Sequence, residues 1–189
     1  MDSALIVSYS EKSTDYLIQV LTEASVTDIT TVSNAGEARR LLIEKDFDLC
    51  IINTPLPDEF GGNLALNIAS KGISEVILIV KSEHFDEISE KVEDYGVITI
   101  AKPIGKTLLW NAIKLAKATH RKIQAMQSEN KKLIQKIEDI RIIDRAKCIL
   151  ISHLSMSEPE AHRYIEKQAM DMRVTRREVA EKILRTYEN

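Results

Sequence analysis

Five polar residues stand where short apolar runs end. Ser8 and Tyr9 follow Ala4–Val7, Asn53 follows Asp48–Ile52, Lys81 follows Val76–Val80, and Lys102 follows Val97–Ala101. Two hydroxyls, an amide and two ammonium groups suit an anion, or they form an inert polar cluster. They do not suit nucleophilic catalysis, because none of them is a nucleophile with a base beside it. They also lack the carboxylate oxygens that a hard divalent cation requires. Nowhere does the chain show a metal-ligand spacing or a glycine-rich phosphate loop. The expectation is a protein that is not an enzyme and needs no metal or cofactor.

A second set is basic: Arg145, Lys147, Arg163, Lys167, Arg173, Arg176 and Arg177. Charge is divided unevenly along the chain. Residues 1–118 carry 11 Lys and Arg against 18 Asp and Glu, whereas residues 119–189 carry 15 against 11. The basic half suits a polyanion, although a solvated helix face accounts for the same excess. Arg173, Arg176 and Arg177 gather at a turn into the last helix, where backbone amides also favour phosphate.

A third set is apolar. Ile123, Asn130 and Ile137 fall at one position of a heptad, and Met126, Leu133 and Ile140 at the other. No Gly or Pro interrupts Leu109–Leu154, so the spacing predicts one long helix with a narrow stripe. Such a stripe needs a partner, and Asn at an a position favours a parallel two-stranded register. The pattern fits a parallel dimer, an antiparallel hairpin, or a helix packed on its own domain.

These residues must be positioned by elements that the apolar periodicity reveals. The first half alternates strand and helix: strands at Ala4–Val7, Asp28–Val32, Asp48–Ile52, Val76–Val80 and Val97–Ala101, with helices between. Ser10 or Ser13 caps the first helix, and Asn34 caps Ala35–Lys45. This alternation predicts an α/β flavodoxin-like fold, a five-stranded parallel sheet of order 2-1-3-4-5 whose ligands gather at the carboxyl ends of the strands. The polar residues named first lie there. The basic, polar stretch Lys117–Lys122 is where the long helix is expected to leave this domain. Beyond Ile140 the apolar stripe widens. Ser157 with Pro159 starts a second helix, and Thr175 with Glu178 forms a capping box for a third. The expected organisation is a domain at 1–118, a coiled-coil stalk at 119–140 and a small all-α three-helix domain at 141–189.

Residues 3–118 resemble the receiver domain of two-component response regulators, on the strand order, on Asn53 with Pro57 and Gly61 in the loop that follows, and on Lys102-Pro103. The resemblance implies a phosphoacceptor aspartate where Asn53 stands and two metal-binding acids where Ser8 and Tyr9 stand. It implies a hydroxyl residue where Lys81 stands. Only Lys102 matches, so a pseudo-receiver without phosphotransfer is expected. Asp58 and Asp48 are the rival phosphoacceptors. Without a carboxylate, Lys81 and Lys102 are expected to repel each other unless Asp58 or Glu59 turns inward.

Residues 136–186 resemble the ANTAR family of transcription antitermination regulators. The residues that carry the likeness are Arg141, Ile143, Ala146 to Ile151, Ser157, Ala161, Ala169-Met170 and Val179-Ala180. Cys148 replaces a usual glycine, and His162 stands where an aromatic is common. The resemblance implies an RNA-binding antiterminator that, as a dimer through the coiled coil, binds paired stem-loops in a leader transcript. Lys147 matches the family motif in type and place. A regulatory protein docking on the pseudo-receiver is the expected means of control. The alternative is a phosphorelay response regulator acting by protein contact or DNA binding.

No apolar run approaches the roughly 18 residues of a membrane span. The opening MDSALIV has no signal-peptide pattern. Cys50 and Cys148, both among apolar neighbours, suggest two buried thiols and no disulfide. A cytoplasmic protein with no membrane partner is expected.

Overall fold

The computed structural model describes residues 1–187. It divides the chain into two compact units, Met1–Gln124 and Ala125–Asn189. Residues 188–189, the end of the expected three-helix domain, lie outside the described residues.

The first unit is built on β1 (Ser3–Ser8), β2 (Asp28–Val32), β3 (Leu49–Asn53), β4 (Glu75–Lys81) and β5 (Ile98–Lys102), all parallel in the order β2-β1-β3-β4-β5. Alternate residues of each strand point to opposite faces. Leu5, Val7, Cys50, Ile52, Leu78 and Val80 meet α2 (Ala35–Glu44), α3 (Gly62–Ala69) and α4 (Phe85–Val92). Ala4, Ile6, Leu49, Ile51, Ile77, Ile79 and Ile100 meet α1 (Glu11–Glu23) and the first turns of α5 (Lys106–Leu154). Both faces are covered, which is why β1, β3 and β4 read as continuous apolar runs. Ser10 caps α1, and Asn34 caps α2 by accepting from the Glu37 N–H.

α5 is a single helix of 49 residues. Leu109, Ala112, Ile113 and Ala116 pack on the sheet, and contact continues into the expected exit at Lys117–Lys122. The Lys117 ammonium donates to the Ala24 carbonyl, and His120 is buried. The first compact unit runs to Gln124.

In the second unit the later turns of α5 pack with α6 (Glu158–Met172) and α7 (Arg176–Tyr187). Ala146, Ala161 and Ala180 are fully buried there, small side chains that let the helices approach closely. Leu150, Ile165, Val179 and Ile183 fill the core around them. Ser157 donates its N–H and its hydroxyl to Glu160 at 2.8 and 2.7 Å. Thr175 does the same with Glu178 at 2.7 and 2.8 Å, and the Glu178 N–H returns to Thr175 Oγ1 at 3.2 Å. Both hydrogen-bonded groups pull the Glu178 pKa below its ordinary value. Loss of such a cap costs about 1 kcal/mol. Thr175→Ala is thus expected to lower the melting temperature of this unit by about 4–8 °C, read by thermal circular dichroism.

Cys50 is buried, and burial pushes its thiol pKa up to about 12. Cys148 is exposed, which corrects the expectation of two buried thiols: it faces away from the stripe formed by Ala146 and Leu150. Among the described residues no helix is long and apolar enough to cross a membrane.

Candidate functional site

The carboxyl ends of the strands bring the five polar residues to one edge of the sheet. Parallel register sets Ser8 opposite Asn53, and Lys81 opposite Lys102. Asn53 and Ser8 are buried, at 5% and 7% exposure. The Asn53 amide donates from Nδ2 to Ser8 Oγ at 3.0 Å, and Ser8 Oγ donates to the Ser10 carbonyl at 3.4 Å. Lys102 Nζ donates to the Thr54 carbonyl, and Ser82 Oγ to the Lys102 carbonyl. Lys81 lies at the surface, 3.6 Å from Glu83. Tyr9 is exposed and joins none of these bonds.

No loop acid turns inward. Asp58 accepts from the Ala35 and Gly36 N–H groups at 3.0 and 2.8 Å, closing the amino end of α2, and those bonds hold its pKa below the ordinary value. Glu59 pairs with Arg39 at 2.7 Å and accepts from the Leu64 N–H at 3.2 Å. Neither Asp58 nor Glu59 offsets the expected repulsion, and only Glu83 lies near Lys81: burial first, and Lys81 second, push the Lys102 pKa below its ordinary value. Helix-terminal amides are strong partners for a carboxylate, and they outcompete two lysines that would have to be desolvated to meet it.

Asp48 sits at the other end of the sheet, at the foot of β3. It accepts from the Asp2 and Ser3 N–H groups at 2.6 and 3.1 Å. His120 lies between Asp48 and Glu75, with Nε2 at 3.3 Å from one carboxylate and Nδ1 at 3.9 Å from the other. The sequence reading missed this cluster. Its signal was an acid placed directly ahead of each of two adjacent apolar runs. Burial opposes ionisation of Asp48, but the two N–H donors, the terminal ammonium and His120 outweigh it and lower its pKa. A carboxylate with a lowered folded pKa contributes stability that is complete above the unfolded value of about 3.9 and is lost as pH falls through the folded value. Glu75 acts in the opposite sense, because burial raises its pKa against the pull of His120. Asp48→Asn is expected to flatten the loss of thermal stability between about pH 5 and pH 2, measured as Tm against pH.

In the second unit the basic residues divide. Lys147 pairs with Asp144 at 2.8 Å and Glu158 at 2.9 Å, its side chain only 16% exposed, and both acids raise its pKa. It ties α5 to the start of α6. Arg177 pairs with Asp139 on α5 and with Glu181, each at 2.8 Å. Arg176 pairs with Glu166 at 3.1 Å. Arg145 is exposed and engaged. Arg163, Lys167 and Arg173 are exposed on α6 and its carboxyl end, and Arg173 adopts a left-handed backbone, φ 54°, that closes the helix. His153 lies against Tyr187 with ring centroids 5.4 Å apart. An open groove of about 510 Å³ runs beside Arg176 and Arg177, floored by Ile140 and Ile143. The seam side chains stand in solvent: Met126 60%, Leu133 51%, Ile137 51% and Ile140 58% exposed, with Ile123 at 36% and Asn130 exposed.

Comparison with known proteins matches residues 131–184 to the ANTAR domain. The Mycobacterium tuberculosis protein described as transcriptional regulatory protein PdtaR, from strains CDC 1551 / Oshkosh and H37Rv, is 31% identical over 171 residues, which are 90% of this chain and 83% of the relative. Among solved structures, the signal receiver domain of an HD domain-containing protein from Pseudomonas fluorescens Pf-5 superposes with a TM-score of 0.58 at 20% identity. It covers 66% of this chain and 94% of that one. A receiver domain from Clostridium thermocellum gives 0.56 at 18% identity, covering 64% and 98%. At these identities the solved structures speak for the fold of the first unit.

Proposed function

Because the chain belongs to the ANTAR family, as a transcription regulator of the response-regulator type with a receiver fold ahead of the ANTAR domain, we propose that it is a dimeric RNA-binding antiterminator whose receiver is not phosphorylated. The ANTAR match over 131–184 carries the RNA half of this proposal. The three-helix unit offers Arg163, Lys167 and Arg173 at an exposed surface, where basic side chains read unstacked bases and phosphates in RNA loops. Arg145, Arg176 and Arg177 are the further candidates for RNA contact, and Lys147 holds α5 to α6 through Glu158. Two such units on one dimer suit two stem-loops. The exposed seam from Ile123 to Ile140 is the proposed dimer interface.

The loss of phosphotransfer rests on residue chemistry. Asn53 is an amide, not a nucleophile, at the end of β3. Asp58 is committed to the amides of α2, and Asp48 lies at the opposite end of the sheet. Control therefore falls to a partner protein that docks on the receiver in the cytoplasm and withholds the basic units from RNA.

Filter binding at moderate salt tests the RNA half. A transcript with paired stem-loops is expected to bind the dimer far more tightly than one with a single stem-loop, and absence of binding overturns the proposal. Intact mass after incubation with acetyl phosphate and Mg²⁺ is expected to be unchanged. An added phosphoryl mass favours a phosphorelay protein instead.

A further inference from the structure

Ile43 is the most exposed large apolar side chain among the described residues, at 82%. It stands on the last turn of α2. Ile73, 43% exposed, stands in the turn after α3. Both line one open groove of about 450 Å³ between α2 and α3, whose floor is Leu42, Leu64 and Ile68. Leu64 and Ile68 belong to the core beneath and Leu42 packs against it, so the floor is fixed. An aliphatic floor with two aliphatic side chains at its margins gains free energy when water leaves it.

Charge marks the same groove. Asp46, just past α2, stands on one bank, and Lys71, just past α3, stands on the other. Both are exposed, and among the described residues neither has an ion-pair partner. The third charge on the rim, Arg39, is engaged with Glu59 at 2.7 Å. The groove between α3 and α4 differs. Its Glu87 and Lys91 pair with each other at 2.6 Å, and its Glu59 is the one held by Arg39. Of the two, the α2–α3 groove is the one that offers an open acid and an open base to a partner of complementary pattern.

The banks decide the form of that partner. They are helices, and the N–H groups of Lys45, Ser70, Lys71 and Gly72 at their ends are bonded to carbonyls of the same helices. An extended segment laid there finds no backbone partner for its own N–H and C=O groups. A helix brings its backbone already paired, and its ridge of side chains fits the furrow between two helices. On the reading that a partner protein docks on the receiver, we propose that it docks in this groove through an amphipathic helix. The apolar stripe of that helix covers Ile43 and Ile73. The stripe ends in a basic residue facing Asp46 and an acidic residue facing Lys71.

Solution NMR of the full-length protein, with isoleucine and leucine methyl groups labelled, tests this against synthetic peptides. Two helical peptides carry leucine at every third or fourth position along one stripe, with one Lys and one Glu flanking its last turn. They differ only by exchange of that pair. A third peptide contains prolines that forbid a helix. Saturable shifts of the Ile43 and Ile73 methyls are expected with one helical peptide, binding about threefold to tenfold weaker with the other, and none with the third. Asp46→Lys combined with Lys71→Glu is expected to reverse the preference between the helical pair. Ile43→Ala alters an exposed side chain and leaves the fold intact, and it is expected to weaken binding about tenfold. Absence of saturation, shifts centred elsewhere, a preference that the double variant does not reverse, or binding of the proline peptide overturns the proposal. So does a change in oligomeric state of Ile43→Ala by sedimentation equilibrium, which shows that the groove holds a second copy of this chain. Filter binding of paired stem-loops by the same samples separates the failures. A groove that takes no helix while RNA still binds strikes only the docking site, whereas absence of RNA binding strikes the functional reading beneath it.

Discussion

Replacing Leu133 and Ile137 together by aspartate is expected to leave both units folded, to make the protein monomeric, and to reduce its affinity for paired stem-loops by about a hundredfold or more. Both side chains stand half in solvent, so the substitutions cost neither core. Removing a fully buried Leu or Ile from an interface costs about 1.5–3 kcal/mol in transfer alone, and a seam of only a few heptads does not survive four such losses with four charges added. Affinity for one stem-loop is expected to be preserved, because the basic surface of each unit is untouched. The second loop then no longer benefits from the effective concentration that linkage to the first provides. Sedimentation equilibrium with gel shifts on one-loop and two-loop transcripts checks each part. A variant that stays dimeric removes the seam from the account, and a monomer with full two-loop affinity removes avidity.

Ile165→Ala acts on the opposite kind of contact. Ile165 is 1% exposed and lies in the centre of the second unit, against Ala146, Leu150 and Val179. Truncating a buried Ile to Ala costs about 2–5 kcal/mol, from lost transfer and from the cavity left behind. A unit this small has little stability in reserve. The variant is expected to lose the thermal transition of the C-terminal unit near room temperature while keeping that of the receiver. Its RNA binding is expected to disappear in either oligomeric state. Differential scanning calorimetry, with limited proteolysis at temperatures between the two transitions, reads the effect. A full-strength second transition shows that the unit relaxes around the vacancy.

Both substitutions concern apolar residues at helical spacing, yet one set is exposed and the other buried. Local pattern distinguishes them only by width. The stripe at Ile123 to Ile140 is narrow and the one after it is wide, and the structure places the narrow one in solvent and the wide one in a core. Capping chemistry was equally local: Ser10, Asn34 and the Thr175–Glu178 box each act within four residues of themselves. The parallel sheet and its order followed from alternation of doubly apolar runs with helices.

The destinations of the charged side chains were not legible in the same way. The amides of α2 and the distant Arg39 drew Asp58 and Glu59 away from the two lysines, Glu158 took one bond of Lys147, and Asp139 took one of Arg177. His120, in a stretch that read as polar and basic, is buried between Asp48 and Glu75.

The physical division is one of range. Periodicity, capping and the residue type at each strand end are properties of a few neighbouring residues, and they settled the elements, their order and the missing carboxylates of the receiver edge. Which acid meets which base depends on side chains brought together from dozens of residues apart, where burial strengthens a charge interaction that water would screen. Folding alone chose those partners, and so it alone left the Asn53 amide oxygen buried without a donor at the carboxyl end of β3.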